Sequence, residues 1–296
     1  MSVKLKIVSG LGSLEHYEDY VRAGADELFC GVMPFEWLES RGVLLPMNRR
    51  EVLLYPTQIS SMEDMKILAR LSREDKVPVA VTVNSFCYRP QDYPVLLRFI
   101  NELIDMGIDR FIISDTALLM KMPAGAKIHV SGEWGEDSAD AMKWLMQFRP
   151  ARVIFHRKVT ISEMKACIAA NPFLEYEAFM LNERCYYTGA YCSSLHCDEM
   201  PHICKLPYTV GGAEKAVGEA DETRQSGSGG CGICAIDSLA RVGVTHLKLV
   251  GRGARPEQMI KDIALLRRAV DMDGNRKQTL FPQGCGGACY YKEREL

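Results

Sequence analysis

Short apolar runs alternate with longer amphipathic stretches along nearly the whole chain. The runs are rich in β-branched and aliphatic residues, which is typical of buried strands, and most of the stretches between them have helical periodicity. We predict eight strands, at Lys4–Ser9, Glu27–Val32, Pro78–Val83, Arg110–Asp115, Lys127–Ser131, Arg152–His156, Leu174–Leu181 and His246–Gly251.

Helices are predicted between most of these strands. Their clearest segments are Ser60–Arg73, Tyr93–Met106, Asp137–Phe148, Ile161–Ala170 and Pro256–Val270. Eight repeats of strand followed by helix predict an α/β fold, a single (β/α)8 barrel of the TIM type. We assign residues 1–271 to the barrel and residues 272–296 to a C-terminal tail.

Two stretches interrupt the alternation. Met33–Thr57 is rich in Pro and Arg, and Asn182–Gly230 separates the seventh predicted strand from the eighth. We take residues 182–234 as a cysteine-rich insert of the barrel. Because loops after barrel strands emerge on the face where such barrels keep their active sites, we expect the insert on that face.

Charge and composition favour small-molecule chemistry over nucleic-acid binding. The chain has 296 residues, is 47% hydrophobic, and sets 36 Lys and Arg against 38 Asp and Glu. A net charge of −2 gives no basic footprint for a nucleic acid. The N-terminus lacks the pattern of a secretory signal, and no apolar run approaches the roughly 20 residues of a membrane helix. We expect a cytoplasmic protein.

The cysteines are distributed unevenly. Cys30, Cys87 and Cys167 stand alone in apolar surroundings, where a thiol is usually a small buried side chain. The other eight lie between positions 185 and 289. In a reducing cytoplasm such a cluster indicates metal or redox chemistry rather than disulfides. These eight are Cys185, Cys192, Cys197, Cys204, Cys231, Cys234, Cys285 and Cys289.

Spacing alone leaves the metal open between iron and zinc. Cys185 and Cys192 are separated by six residues, whereas Cys231 and Cys234 are separated by two. Four thiolates from a loop and a more distant residue suit an iron–sulfur cluster. A structural zinc site more often has two compact C-x2-C pairs, and we count one.

Several motifs resemble the U32 family, historically labelled peptidases or collagenases. They are residues 23–31 (AGADELFCG), His129-Val130-Ser131, residues 152–160 (RVIFHRKVT), the Cys185-x6-Cys192 pair and residues 247–252 (LKLVGR), and the resemblance covers roughly residues 3–270. It implies a barrel with a [4Fe–4S] cluster; some similar proteins hydroxylate ubiquinone precursors or RNA bases without oxygen.

The resemblance also implies a ligand set. Cys185, Cys192, Cys204 and Cys234 match the family's four cysteines, with Cys197 and Cys231 as alternates. Val250 stands where the family usually has an acidic residue before Gly251-Arg252. Cys285 and Cys289 lie beyond the match, and a redox pair, a second metal site and loose tail thiols all remain open for them.

Polar residues at the ends of the predicted strands are the candidates for catalysis, because they point toward the barrel's active face. Structural roles compete with this one: Asp115 and Ser131 can cap helices or loops, His156 can be a core histidine, and Arg157 can pair with a surface acid. The candidates are Asn84, Asp115, Ser131, Glu133, His156, Arg157 and Glu183.

Substrate contacts are predicted on either side of the eighth strand. Tyr187 is one of four tyrosines beside the cysteines, which can wall an aromatic substrate or shield a cluster. Arg252 and Arg255 follow the eighth strand, where many barrels bind a phosphate or carboxylate. Together with Arg157 they are expected to anchor an anionic group.

Three functions follow from these patterns. The first is an iron–sulfur redox enzyme acting on a small aromatic or anionic substrate. The second is a hydrolase, although no G-x-S-x-G elbow or H-E-x-x-H helix is present. The third is a non-catalytic, cluster-bearing subunit that works with a second U32-type chain or as a homodimer. RNA as the substrate is a weaker variant of the first.

Overall fold

Eight parallel strands form the frame of the computed structural model. The structure describes residues 4–41, 46–49, 57–135, 138–182, 208–210, 222–224, 230–272, 276–283 and 288–291. The eight strands are β1 (Lys6–Gly10), β2 (Glu27–Cys30), β3 (Val79–Val83), β4 (Arg110–Ile113), β5 (Lys127–Val130), β6 (Arg152–Ile154), β7 (Glu175–Leu181) and, eighth in the barrel, β11 (His246–Leu249).

These strands close into a cylinder. Each of β1 to β6 pairs in parallel with the next strand, and β11 pairs in parallel with both β7 and β1. Where the barrel closes, Leu247 of β11 lies opposite Ile7 of β1 on one side and opposite Ala178 of β7 on the other. The predicted (β/α)8 barrel is therefore confirmed, with strand ends within two residues of those expected.

Helices cover the outside of the cylinder. Side-chain caps fix several starts: Ser61, Ser138 and Thr160 each accept a hydrogen bond from a backbone N–H of the first turn. The helices are α1 (Tyr17–Ala23), α2 (Phe35–Arg41), α3 (Met62–Asp75), α4 (Tyr93–Asp105), α5 (Thr116–Leu119), α6 (Ala139–Leu145), α7 (Ile161–Ala170), α8 (Ile236–Val242), α9 (Pro256–Asp271) and α10 (Arg276–Leu280).

Alternation along the strands divides the core into two regions. In β1, Ile7 packs into the layer between sheet and helices, whereas Val8 belongs to a separate cluster with Phe29 and Ile112 inside the barrel. Phe179 of β7 joins the inner cluster. The strands are buried on both faces, which explains why they read as continuous apolar runs.

Charged side chains fill the lower part of the barrel interior, which is the end where the strands begin. The guanidinium of Arg152 contacts Glu27 at 2.7 Å and Glu177 at 2.8 Å, and Lys248 Nζ lies 2.6 Å from Glu177. Burial alone would raise the pKa of Glu177, but Lys248 and Arg152 lower it to about 2. For His246, burial and then Arg152 lower the pKa to about 4, so this imidazole is neutral at pH 7.

The described residues also form four short strands outside the barrel cycle. β8 (Tyr208–Val210) and β9 (Glu222–Arg224) form an antiparallel pair. β10 (Gly230–Cys231) runs antiparallel to the end of β7, and β12 (Ala288–Cys289) adds in parallel to β10. The sequence predicted none of them. Among the described helices, none is long and apolar enough to cross a membrane.

Candidate active site at the barrel mouth

Polar side chains gather where the barrel strands end. Asn84 follows β3, Ser131 follows β5, and both are buried. Asn84 Nδ2 donates to Ser131 Oγ at 3.5 Å, and the same oxygen accepts the backbone N–H of Glu133 at 3.2 Å. Three residues predicted for the site therefore lie together at the mouth.

Glu133 lies between two arginines. Its carboxylate oxygens are 4.0 Å from Arg49 Nε and 3.8 Å from Arg157 Nη1. Each guanidinium also lies over an aromatic ring, Arg49 over Phe86 at 4.0 Å and Arg157 over Phe179 at 4.1 Å. Because the rings hold the planar groups and limit their hydration, both cations are fixed at the mouth.

Arg252 brings a third guanidinium to the same face. Its Nη1 donates to Thr82 Oγ1 at 3.2 Å and its Nη2 to Asn48 Oδ1 at 3.3 Å. A Cβ added at Gly31 would lie 2.4 Å from Arg252 Nη1, so this glycine leaves the space that the arginine fills. Asn48 directly precedes Arg49, which links Arg252 to the other two cations.

Asp115 and His156 have defined partners. Asp115 Oδ1 accepts the N–H of Leu118 at 2.6 Å and caps α5, while its Oδ2 accepts the N–H of Tyr88 at 3.2 Å. His156 Nδ1 accepts the N–H of Lys158 at 3.0 Å. Burial, and then Lys158, lower the pKa of His156. Because Nδ1 accepts this hydrogen bond, the neutral imidazole carries its proton on Nε2.

The remaining predicted contacts divide between the surface and undescribed parts of the chain. Arg255 is exposed at the start of α9, whereas Arg252 is buried and Arg49 and Arg157 are half-buried. The tail thiol Cys285 lies outside the described residues. So do six residues predicted for the site, namely Glu183, Cys185, Tyr187, Cys192, Cys197 and Cys204.

Cys231 and Cys234 are the two predicted ligands that the structure describes. Cys231 is the register partner of Leu181 at the end of β7, and Cys234 is exposed in the helical turn Ile233–Ala235. In the part of the chain that is described, no three His, Cys, Asp or Glu side chains are grouped to hold a metal ion.

Residues of the tail line the mouth beside β7. The hydroxyl of Tyr290 donates to the Asn182 carbonyl, and that of Tyr291 donates to the Phe179 carbonyl. Tyr290 is buried with the inner barrel cluster that includes Phe179. Of the interpretations left open for Cys289, that of a loose tail thiol is therefore wrong, because this residue pairs with Cys231.

Sequence reasoning missed Arg49, Asn48 and the two tail tyrosines. Arg49 and Asn48 lie in the stretch Met33–Thr57, which broke the strand–helix alternation. That interruption is itself the signal, because a long loop after a barrel strand usually serves the active face. Tyr290 and Tyr291 gave no comparable signal, since the pairing of β12 with β10 is a contact between distant parts of the chain.

Comparison with known proteins identifies the family. Residues 12–286 match peptidase family U32. No curated protein sequence matches the chain. One similar solved structure is the U32 peptidase Mk0906, with 10% identity, a TM-score of 0.52, and coverage of 85% of this chain and 94% of that one.

A second similar structure is a tryptophan synthase from M. tuberculosis, in its ligand-free form. It has 9% identity, a TM-score of 0.50, and coverage of 92% of this chain and 95% of that one. At such identities both structures establish the barrel fold alone. Because the family match spans most of the sequence, the chain belongs to peptidase family U32.

Proposed function

We propose that the protein is an iron–sulfur redox enzyme that modifies a small, anionic, aromatic substrate at the barrel mouth. The observation that carries the proposal is the gathering of Arg49, Arg157 and Arg252 on one face, joined through Glu133 and Asn48. Barrels of this type carry out their chemistry on that face. The reaction we propose is oxygen-independent hydroxylation or a related modification.

The arginines supply recognition of the substrate. A guanidinium binds a carboxylate or phosphate through two parallel N–H···O bonds, which fixes both the position and the orientation of the anion. Phe29 and Phe179 belong to the inner cluster, and the guanidiniums of Arg252 and Arg157 lie over them at 5.9 Å and 4.1 Å. An aromatic acid offers a charge for the arginines and a ring for the phenylalanines.

The two ends of the cysteine-rich insert lie next to each other at the end of β7, which supports our placing a cluster at the same face. The N–H of Asn182 donates to the carbonyl of Gly230 at 3.1 Å, and Cys231 pairs with Leu181. When bound, the cluster supplies one-electron transfer. We propose Cys185, Cys192, Cys204 and Cys234 as its ligands, with Cys197 and Cys231 as alternates.

Hydroxylation sets requirements that residues of this chain can meet. With water as the oxygen source, conversion of a C–H bond to C–OH releases two electrons and two protons, so an external electron acceptor is required. Glu133, held between two arginines, is our candidate for the proton acceptor. His156, with its proton on Nε2, is our candidate for the donor to a substrate oxygen.

The test combines metal analysis with ligand binding. We expect iron and acid-labile sulfide in protein purified without oxygen, together with broad visible absorption, and we expect each to fall in Cys185→Ala and Cys192→Ala. Benzoate serves as the anionic aromatic probe in calorimetry, and benzyl alcohol as its uncharged control. Absence of iron, or equal affinity for the two probes, contradicts the proposal.

The family description favours a hydrolase as the second candidate. In that case Glu133 activates a water molecule for attack on a peptide bond. Peptide turnover that persists after iron is removed would support this function over the redox one. Co-purification of a second U32-type chain, with turnover only in the complex, would instead support a role as a cluster-bearing subunit.

A further inference from the structure

The C-terminal tail returns to the barrel and lies against the end of β7. Strand β12 pairs in parallel with β10, and the N–H of Tyr290 donates to the Cys231 carbonyl at 3.0 Å. The hydroxyls of Tyr290 and Tyr291 donate to the carbonyls of Asn182 and Phe179. Bonds from both backbone and side chains therefore fix the two tyrosine rings beside the mouth.

Tyr290 reaches the apolar centre of the barrel. In β6, Ile154 of the inner cluster lies between Arg152 below it and His156 above it, so this cluster is the floor of the mouth. Tyr290 is 9% exposed and belongs to the same cluster, whose other buried members all lie on the barrel strands or directly after them. The tail thus places an aromatic ring on the floor, at its β7 side.

Cations already cover two phenylalanines of this floor. The guanidinium of Arg157 lies 4.1 Å from the centre of the Phe179 ring, and Lys248 Nζ lies 3.8 Å from the centre of the Phe29 ring. A second ring cannot stack on a face that a cation covers. A substrate ring that enters the mouth therefore needs a further aromatic wall, and Tyr290 is placed to supply it.

Two glycines next to the tail are shaped to its rings. A Cβ added at Gly230 would lie 2.5 Å from the Tyr290 ring, and one added at Gly232 would lie 2.8 Å from the Tyr291 ring. Neither glycine has a positive φ, so the backbone alone does not require glycine at these positions. The rings require it, because real Cβ atoms do not approach other atoms so closely.

We propose that Tyr290 is a specificity-determining residue, whose ring forms one wall of the substrate site and selects an aromatic group on the bound anion. This inference rests on the proposed function, in which the arginines of the mouth bind the anion. Aromatic rings attract each other in offset or edge-to-face contacts, beyond the gain from burying their apolar surface. Tyr291 packs beside Tyr290, with ring centres 6.1 Å apart, and helps to hold it in place.

This wall comes from outside the part of the chain that matches the family. The match covers residues 12–286, and Tyr290 and Tyr291 follow it, whereas Arg49, Arg157 and Arg252 lie within it. In this arrangement the barrel binds the anion, and the tail of this chain selects the group attached to the anion.

The experiment compares two ligands in the full-length chain. Benzoate has a carboxylate on an aromatic ring, whereas acetate has the carboxylate without a ring, and ligand-observed NMR titration measures both dissociation constants. We expect Tyr290→Ala to weaken benzoate binding about tenfold and acetate binding less than about twofold. Tyr290→Phe keeps the ring and loses only the hydroxyl, so benzoate affinity should stay within about threefold of wild type.

A second variant displaces the ring without changing it. Gly230→Ala puts a methyl group where the Tyr290 ring lies, so benzoate binding should weaken and acetate binding should not. Gly125→Ala is the matched control, because a Cβ there would lie 3.5 Å from its nearest neighbour, an ordinary contact distance, and both affinities should be unchanged.

Two further measurements keep the result interpretable. Circular dichroism establishes that each variant is folded, and Gly230→Ala decides the question if Tyr290→Ala is not. Hydrogen exchange at residues 288–291 should accelerate in Gly230→Ala and stay unchanged in Gly125→Ala, which shows that the tail has been displaced.

Three outcomes overturn the inference. Tighter benzoate binding in Tyr290→Ala would mean that the ring covers the site instead of lining it. Equal losses for benzoate and acetate would mean that Tyr290 acts only through the arginines. Unchanged benzoate binding in both Tyr290→Ala and Gly230→Ala would mean that the ring does not contact the ligand.

These outcomes are separate from those that test the proposed function. If the wall fails while wild type contains iron and prefers benzoate to benzyl alcohol, the proposed function stands. If the expected selectivity is found in a chain that never contains iron, the wall is supported and the redox function is contradicted.

Discussion

Two buried arginines of this barrel have different surroundings. Arg152, low in the interior, is held by the carboxylates of Glu27 and Glu177. Arg252, at the mouth, donates to the neutral oxygens of Thr82 and Asn48. The lower arginine donates its hydrogen bonds to carboxylates of the fold, whereas bonds to a hydroxyl and an amide oxygen help to fix the upper one at the mouth. The first is suited to stability and the second to recognition of an anion.

The largest expected effect comes from removing the lower arginine. Arg152→Met leaves Glu27 and Glu177 buried without their guanidinium, and we expect a loss of about 3–5 kcal/mol in the free energy of unfolding. Urea denaturation measures it, with the exposed Arg22→Met as the control, for which a change within about 0.5 kcal/mol is expected. A loss below about 1 kcal/mol would mean that the interior ion pairs are not structural.

The same network predicts how stability depends on pH. The pKa of Glu177 is about 2 in the folded chain against an ordinary value of 4.5. Its contribution to the free energy of unfolding is present above pH 4.5 and is lost as the pH falls toward 2. The reason is that in this range the unfolded chain binds a proton at this carboxylate that the folded chain does not. Urea midpoints across this range should fall more steeply in wild type than in Glu177→Gln. Equal slopes would contradict the assignment.

His246 extends the effect to higher pH. Its pKa is lowered from 6.5 to about 4, so the folded state disfavours the proton that the unfolded state accepts in this window. Stability should decrease as the pH falls from 6.5 to 4, and His246→Gln should reduce the slope there. An unchanged slope would mean that the imidazole is protonated in the fold.

At the mouth, the expected change is in binding. Loss of a charge-assisted hydrogen bond is worth about 1.5–3 kcal/mol, so Arg252→Met should weaken benzoate binding by about 10- to 100-fold. Gly31→Ala should act in the same direction, because its methyl group would occupy the position of Arg252 Nη1. The exposed Arg255→Met should change affinity less than about twofold. Equal losses of affinity in Arg252→Met and Arg255→Met would indicate that the anion binds nearer the surface than we propose.

The smallest expected effect concerns the tail that walls the mouth. Tyr290→Phe removes the hydrogen bond to the Asn182 carbonyl, which contributes about 0.5–1.5 kcal/mol. Hydrogen exchange at residues 288–291 should therefore accelerate by about 2- to 10-fold, with exchange in β1 unchanged as the internal control. Acceleration in both segments would mean that Tyr290 stabilises the whole barrel.

The sequence determined the barrel, because its eight apolar runs and the periodic helices between them are local patterns with fixed lengths. It also predicted Asn84, Ser131, Glu133, Arg157 and Arg252 as site residues, and the structure places them at the mouth, since polar residues at strand ends meet once a barrel closes. Only the tertiary structure decided that Arg49 faces Arg157 across Glu133, and that Cys289 pairs with Cys231. These contacts join distant segments through irregular loops and a two-residue strand, for which the chain has no periodic signal.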